Sequence, residues 1–148
     1  MSFLNKLGIG RSGPAAEPIS VNDTNFQLEV TKHNGPVILD IWGPGCAPCT
    51  KLVPVMKALA KQYEGKVKVC ELNAAESPKA MRKLGVRATP TIIVYRDRAE
   101  IGRFSGWNPK SYFDQIVAAD SAEYLSGEKV PGQEPPKRTL PQQHGPKQ

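Results

Sequence analysis

The stretch VILDIWGPGCAPCTKLVPVMKAL, residues 37–59, decides how this chain is read. Its first part, PVILDIW from Pro36 to Trp42, is a continuous β-rich apolar run broken once, by Asp40. A run without alternation reads as a strand covered on both faces. The second part changes period. Leu52, Met56, Leu59 and Tyr63 fall at i, i+4, i+7 and i+11, which is one face of a helix. Pro54 removes one N–H inside that helix and is expected to kink it. Between strand and helix stand Cys46 and Cys49, two of the three cysteines in the chain.

Working outward, the same alternation repeats. PISV (18–21) reads as a short strand, and NDTNFQLEVTK (22–32) opens with capping residues and reads as a helix. KVKVCELN (66–73) alternates as a strand does. SPKAMRKLG (77–85) reads as a short helix with Ser77 as its cap, Pro78 in first position and Gly85 as its stop. PTIIVYR (90–96) and RAEIGRFSG (98–106) read as a hairpin, and NPKSYFDQIVAADSAEYL (108–125) as one helix that buries Tyr112, Phe113, Ile116 and Val117. The order β-α-β-α-β-α-β-β-α implies an α/β domain with a largely parallel sheet and helices on both faces. The last hairpin is expected at its edge, giving a mixed sheet of about five strands.

Residues 18–125 form this domain. Residues 1–17 read as a flexible extension. The Pro-, Gly- and Gln-rich residues 126–148 cannot bury enough apolar surface to offset ordering, so they read as a disordered, dispensable tail. Composition removes several functional classes. The net charge of +6 is spread without a basic block or interleaved aromatics, so nucleic-acid binding is not expected. No run approaches the roughly 20 apolar residues of a membrane span, and the N-terminus lacks the apolar core of a signal peptide. Three cysteines are too few for a disulfide-stapled secreted scaffold. A soluble cytoplasmic protein in a reducing compartment fits these features.

Cys46 falls where the strand ends and the helix begins, and Cys49 in the helix's first turn. The unpaired N–H groups and positive dipole end there favour an anion, so a Cys46 thiolate is stabilised. Two intervening residues let Cys49 close a small ring, which Pro48 stiffens. Such a pair suits thiol–disulfide exchange, with Cys46 attacking and Cys49 resolving. The rival reading is half of a zinc site. Zinc needs four ligands, and the remaining candidates are scattered: Cys70 mid-strand, His33 in a loop, His144 in the tail. The pair therefore reads as redox chemistry needing no metal and no bound cofactor, and Cys70 as a buried hydrophobe.

The buried LDIW strand, CAPCTKLVP with Pro54, GVRATPT before a strand and FSG before the last helix together resemble the thioredoxin family, over residues 19 to about 122. The resemblance implies the thioredoxin fold and a protein disulfide reductase. It implies a monomer recharged by a thioredoxin reductase-type donor and acting on disulfide-containing proteins. It also implies site roles. Asp40 matches a buried carboxylate that takes the proton of the second cysteine, and Trp42 a tryptophan packed beside the disulfide. Pro90 matches a cis-proline facing it, Thr89 a residue offering backbone hydrogen bonds to substrate, and Gly106 a glycine that lets a partner backbone approach. Five features depart from the pattern: Gly45 replaces a second tryptophan, Ala47 stands where glycine is commonest between the cysteines, Glu71 stands where many relatives have lysine, the RDRAE hairpin lacks the usual glycine, and the tail is extra. Glu71 is expected to point to solvent from an edge strand. Gly45 and the tail leave open a specialised protein serving one pathway, or an interaction module docked through its tail.

Overall fold

The computed structural model describes residues 16–133; the expectations for residues 1–15 and 134–148 lie outside the described residues. Five strands form one sheet: β1 (Ile19–Val21), β2 (Pro36–Trp42), β3 (Lys68–Asn73), β4 (Thr91–Arg96) and β5 (Ala99–Ser105), in the order β1-β3-β2-β4-β5. β1 runs parallel to β3 and β3 parallel to β2, whereas β4 is antiparallel to β2 and β5 to β4. The expected mixed sheet of five strands is present. The hairpin, however, is not confined to the edge: β4 fills the second side of β2, and only β5 is left at the margin.

The pleat of β2 sorts its residues between two cores. Val37, Leu39 and Ile41 join Phe26, Val30, Leu72 and Ile93 on one face, where α2 (Pro78–Leu84) adds Ala80. Ile38 joins Val69 and Ile92 on the other. There Leu52, Met56 and Leu59 of α1 (Ala47–Gln62) meet Phe113 and Val117 of α3 (Lys110–Asp120). Even-numbered Asp40 therefore points to the α1 side. Pro54 lies inside α1, as the sequence indicates.

Two expected helices are altered, each by local polar competition or by a distant partner. Residues 22–25 form tight turns instead of a helical start. Asn25 Oδ1 accepts from the Asn22 N–H at 2.8 Å, and Asn22 Oδ1 from the Thr24 N–H at 2.8 Å. Such bonds compete with the helical ladder, and only a π-helical turn, Gln27–Thr31, follows. Ser77 does not cap α2; it is fully buried with no hydrogen bond to its hydroxyl among the described residues. Asp23 does the capping, accepting from the Lys79 and Ala80 N–H groups at 3.1 and 2.8 Å.

The C-terminal boundary also moves. The expected single helix breaks at Ser121 into α3 and α4 (Ala122–Leu125). Residues 126–133 then continue the domain where a disordered tail was expected. The Lys129 N–H donates to the Glu123 carbonyl at 3.0 Å and the Gly132 N–H to the Asn34 carbonyl at 2.6 Å. Lys129 Nζ lies 3.2 Å from the Glu123 carboxylate, which also binds Arg96 of β4. The Tyr124 hydroxyl donates to Asp97 in the β4–β5 turn. Composition missed this because the anchors are mainly backbone groups and one ion-paired cluster. A chain ending at Leu125 should therefore melt about 4 °C below one ending at Gln133, for roughly 1 kcal/mol of lost hydrogen bonding, measured by thermal unfolding.

Candidate active site

The end of β2 and the start of α1 place both cysteines. Cys46 is the N-cap of α1, in extended conformation, and its sulfur accepts from the Cys49 N–H at 3.3 Å. Cys46 and Cys49 are joined as a disulfide with Cα atoms 5.2 Å apart. The two sulfurs have different surroundings. Cys46 is half-buried at the rim, whereas Cys49 is 4% exposed and faces inward.

A second segment closes over the pair. The Thr89–Pro90 peptide bond is cis, and the Thr89 carbonyl oxygen lies 3.6 Å from Cys46 Sγ. Thr91, which the sequence offered only as a strand residue, holds this segment: its buried hydroxyl donates to the Ala88 carbonyl at 2.6 Å. Gly43 lets the segment come close, because a Cβ there would stand 3.2 Å from Thr89 Oγ1. The Gly106 N–H, at the end of β5, donates to the Pro90 carbonyl at 3.1 Å, and Gly106 sits at φ +92°, which favours glycine. Trp42 is half-buried beside the cysteines. Asp40, Trp42, Thr89, Pro90 and Gly106 are thus all brought to the cysteine pair or to the segment covering it.

Beneath the disulfide lies a cavity of about 470 Å³, whose lining includes Cys49, Asp40, Trp42, Met56, Glu71 and Lys57. Asp40 is 4% exposed, and its Oδ1 has no hydrogen-bond partner among the described residues. Burial, and secondarily the negative charge of Glu71, push its pKa up from 3.8 to about 7. Glu71 does not turn away to solvent. β3 is an interior strand, and its parallel register sets Glu71 directly beside Asp40, with both side chains on the same face and in the same cavity. Lys57 and Glu17 form an exposed ion pair of 3.5 Å at the cavity wall. Lys57 was missed although its spacing from Cys49, i+8 on one helix, puts the two on one face; Glu17 is brought there only by folding. Cys70 stands apart, fully buried in register with Ile19 and Leu39, its thiol pushed up to about 12 by burial. His33 is half-buried on a connecting loop, and His144 lies outside the described residues.

The family model described as Thioredoxin matches residues 17–119. The chain belongs to the thioredoxin family. It is 36% identical over 97 residues to Thioredoxin 1 of Nostoc sp., covering 66% of this chain and 91% of that one. It is 40% identical over 79 residues to the thioredoxin of Pseudomonas aeruginosa, covering 53% and 73%. It is 36% identical over 102 residues to the chloroplastic M-type thioredoxin of Chlamydomonas reinhardtii, covering 69% and 73%. Membership in the thioredoxin family and a Cys46–Cys49 pair at this spacing make the chain a thiol–disulfide oxidoreductase, a protein disulfide reductase working by dithiol–disulfide exchange.

The raised pKa of Asp40 has a stability consequence with a definite sign. The folded state holds the proton more tightly than the unfolded chain. Below the unfolded value of 3.8 both states are protonated and nothing is lost; stability then falls as pH rises toward about 7, and the cost persists above. Asparagine mimics the neutral acid at every pH. Asp40→Asn should therefore be more stable than the native chain by about 2–4 kcal/mol at pH 8 and nearly equal to it at pH 4, in denaturant unfolding. In Glu71→Gln a like charge is gone, so the pH midpoint of the Asp40-dependent change should move down.

Proposed function

We propose that Cys46 is the attacking thiol, Cys49 the resolving thiol and Asp40 the group that receives the Cys49 proton. The observation that carries this is the unequal placement of the two sulfurs, one at the rim and one buried above a carboxyl group with a pKa of about 7. In the reduced protein the Cys46 thiolate, stabilised by the Cys49 N–H and the helix N-terminus, attacks one sulfur of a substrate disulfide. A Cys46–substrate disulfide forms and the other substrate sulfur leaves as a thiolate. Cys49 then passes its proton to Asp40 and attacks Cys46 Sγ. The second substrate sulfur leaves, and the Cys46–Cys49 disulfide remains. Two electrons have moved from protein to substrate, and both substrate sulfurs end as thiols once protonated.

Trp42, Thr89, Pro90 and Gly106 form the substrate face in this reading. The Thr89 backbone supports it best, because its carbonyl is already at the Cys46 sulfur and can pair with an extended substrate chain. A thioredoxin reductase-type enzyme returns the electrons. The protein acts as a monomer, since attacking, resolving and proton-accepting groups all come from one chain. A cytoplasmic setting fits the small number of cysteines.

Cys49→Ser should accumulate mixed disulfides with protein substrates, detectable by non-reducing gel shift and mass spectrometry, whereas Cys46→Ser should not. Equal trapping by both would overturn the assignment. Asp40→Asn should slow resolution by about tenfold or more at pH 7 in stopped-flow measurements. Cys70→Ser should reduce insulin at the native rate with a thioredoxin reductase.

A further inference from the structure

Residues 126–133 lie back on the domain at the end of the sheet away from the cysteines. The Gly132 N–H donates to the Asn34 carbonyl at 2.6 Å, just before β2 begins, whereas Cys46 follows the end of that strand. Pro131 rests on the same turn. A Cβ added to Gly35 would stand 3.0 Å from Pro131 Cβ and 3.2 Å from His33 Nε2. Gly35 sits at φ +128°, and its missing side chain leaves the space into which the proline and the ring both crowd. His33 Nε2 is sealed from water there and has no hydrogen-bond partner among the described residues. His33 and Pro131 also share the wall of a cavity of about 300 Å³.

A sealed nitrogen restricts the charge of the ring. A neutral imidazole can keep its proton on Nδ1 and leave Nε2 a bare lone pair, but an imidazolium carries an N–H at both nitrogens. Burying that donor unpaired is costly. The neighbours do not offset the cost. Lys68 of β3 adds a like charge. Glu29 favours the cation but is bound to Lys68 at 2.8 Å, and Asp97 is engaged by Tyr124 and Arg96. Of the charged residues across the cavity, Glu17, Glu64 and Lys66, the first pairs with Lys57 and the last donates to the Leu125 carbonyl at 3.1 Å. Burial, and secondarily Lys68, hold the His33 pKa below 6.5. The overlying segment is lightly held, since Val130, its largest apolar side chain, is 53% exposed. A change at one of its few contacts is enough to lift it.

We propose that residues 126–133 form a pH-operated latch, docked over the His33–Gly35 turn while the His33 ring is neutral and released when the ring is protonated. Docking seals Nε2, so the docked form binds a proton less tightly than the released form. The latch is at full strength above pH 6.5 and weakens as pH falls below it. Release frees the C-terminal segment at the end of the sheet opposite Cys46.

The test is NMR on the isotope-labelled full chain in its disulfide form, titrated from about pH 7.5 to about pH 5. The protection of the Gly132 amide against solvent exchange, corrected for the intrinsic effect of pH, should fall by about fivefold, with a midpoint that coincides with the imidazole titration of His33. His33→Asn, neutral throughout, should keep the segment docked at every pH. Asp40 titrates in the same range but is retained in that variant, which separates the two groups. Pro131→Gly weakens docking without touching the ring and should raise the His33 midpoint toward 6.5. Gly132 protection that is unchanged through the His33 midpoint, or that falls equally in His33→Asn, would overturn the proposal. If His33→Asn is undocked at every pH, the Pro131→Gly midpoint decides: a shift upward supports the latch, and an unmoved midpoint refutes it.

Discussion

β2 is hydrogen-bonded on both edges and covered on both faces, and the rest of the structure is placed relative to that strand. A strand so enclosed tolerates little that is polar. Leu39 and Ile41 satisfy the demand on one face and Ile38 on the other, but Asp40 does not. An isolated carboxylate there is costly, and the protein meets the cost by keeping the acid readily protonated. The same enclosure makes Asp40 useful, since a carboxyl with a pKa of about 7 can both take and return a proton near neutral pH.

The reactive end of β2 is built from three close approaches. The chain leaves the strand through a small-residue turn, so α1 can be capped by Cys46, with the Cys49 N–H donating to its sulfur. Gly43 leaves room for Thr89, Thr91 ties the Ala88 carbonyl, and Gly106 binds the Pro90 carbonyl. These hold one carbonyl oxygen against Cys46 while the sulfur stays at the rim. The arrangement leaves Cys46 half-buried at the rim and gathers Cys49, Asp40 and Glu71 around one cavity.

Glu71 changes the character of that cavity. The register of β2 with β3 sets two carboxyl groups side by side, and Lys57, which lines the same cavity, pairs with Glu17 at its wall. The negative charge of Glu71 adds to burial in raising the proton affinity of Asp40.

The sequence by itself determined the chemistry and the frame. The CxxC between an apolar run and a helical period, the lone Asp40 in that run, and the family pattern around Pro90 and Gly106 located the redox pair, its buried acid and its covering segment. Each is a local signal: a period, a spacing, a residue type out of place. Tertiary structure alone decided what depends on register and on distant partners. The cap of α2 comes from Asp23 because the turns after β1 deliver its carboxylate there, not from the adjacent Ser77. Glu71 faces Asp40 because β3 lies inside the sheet, a matter of strand order that composition does not encode. Residues 126–133 join the domain through backbone bonds to Glu123 and Asn34, which no hydrophobic pattern announces. Periodicity reports how a segment buries its own side chains; which backbone groups and charges meet it from elsewhere is fixed only when the chain closes on itself.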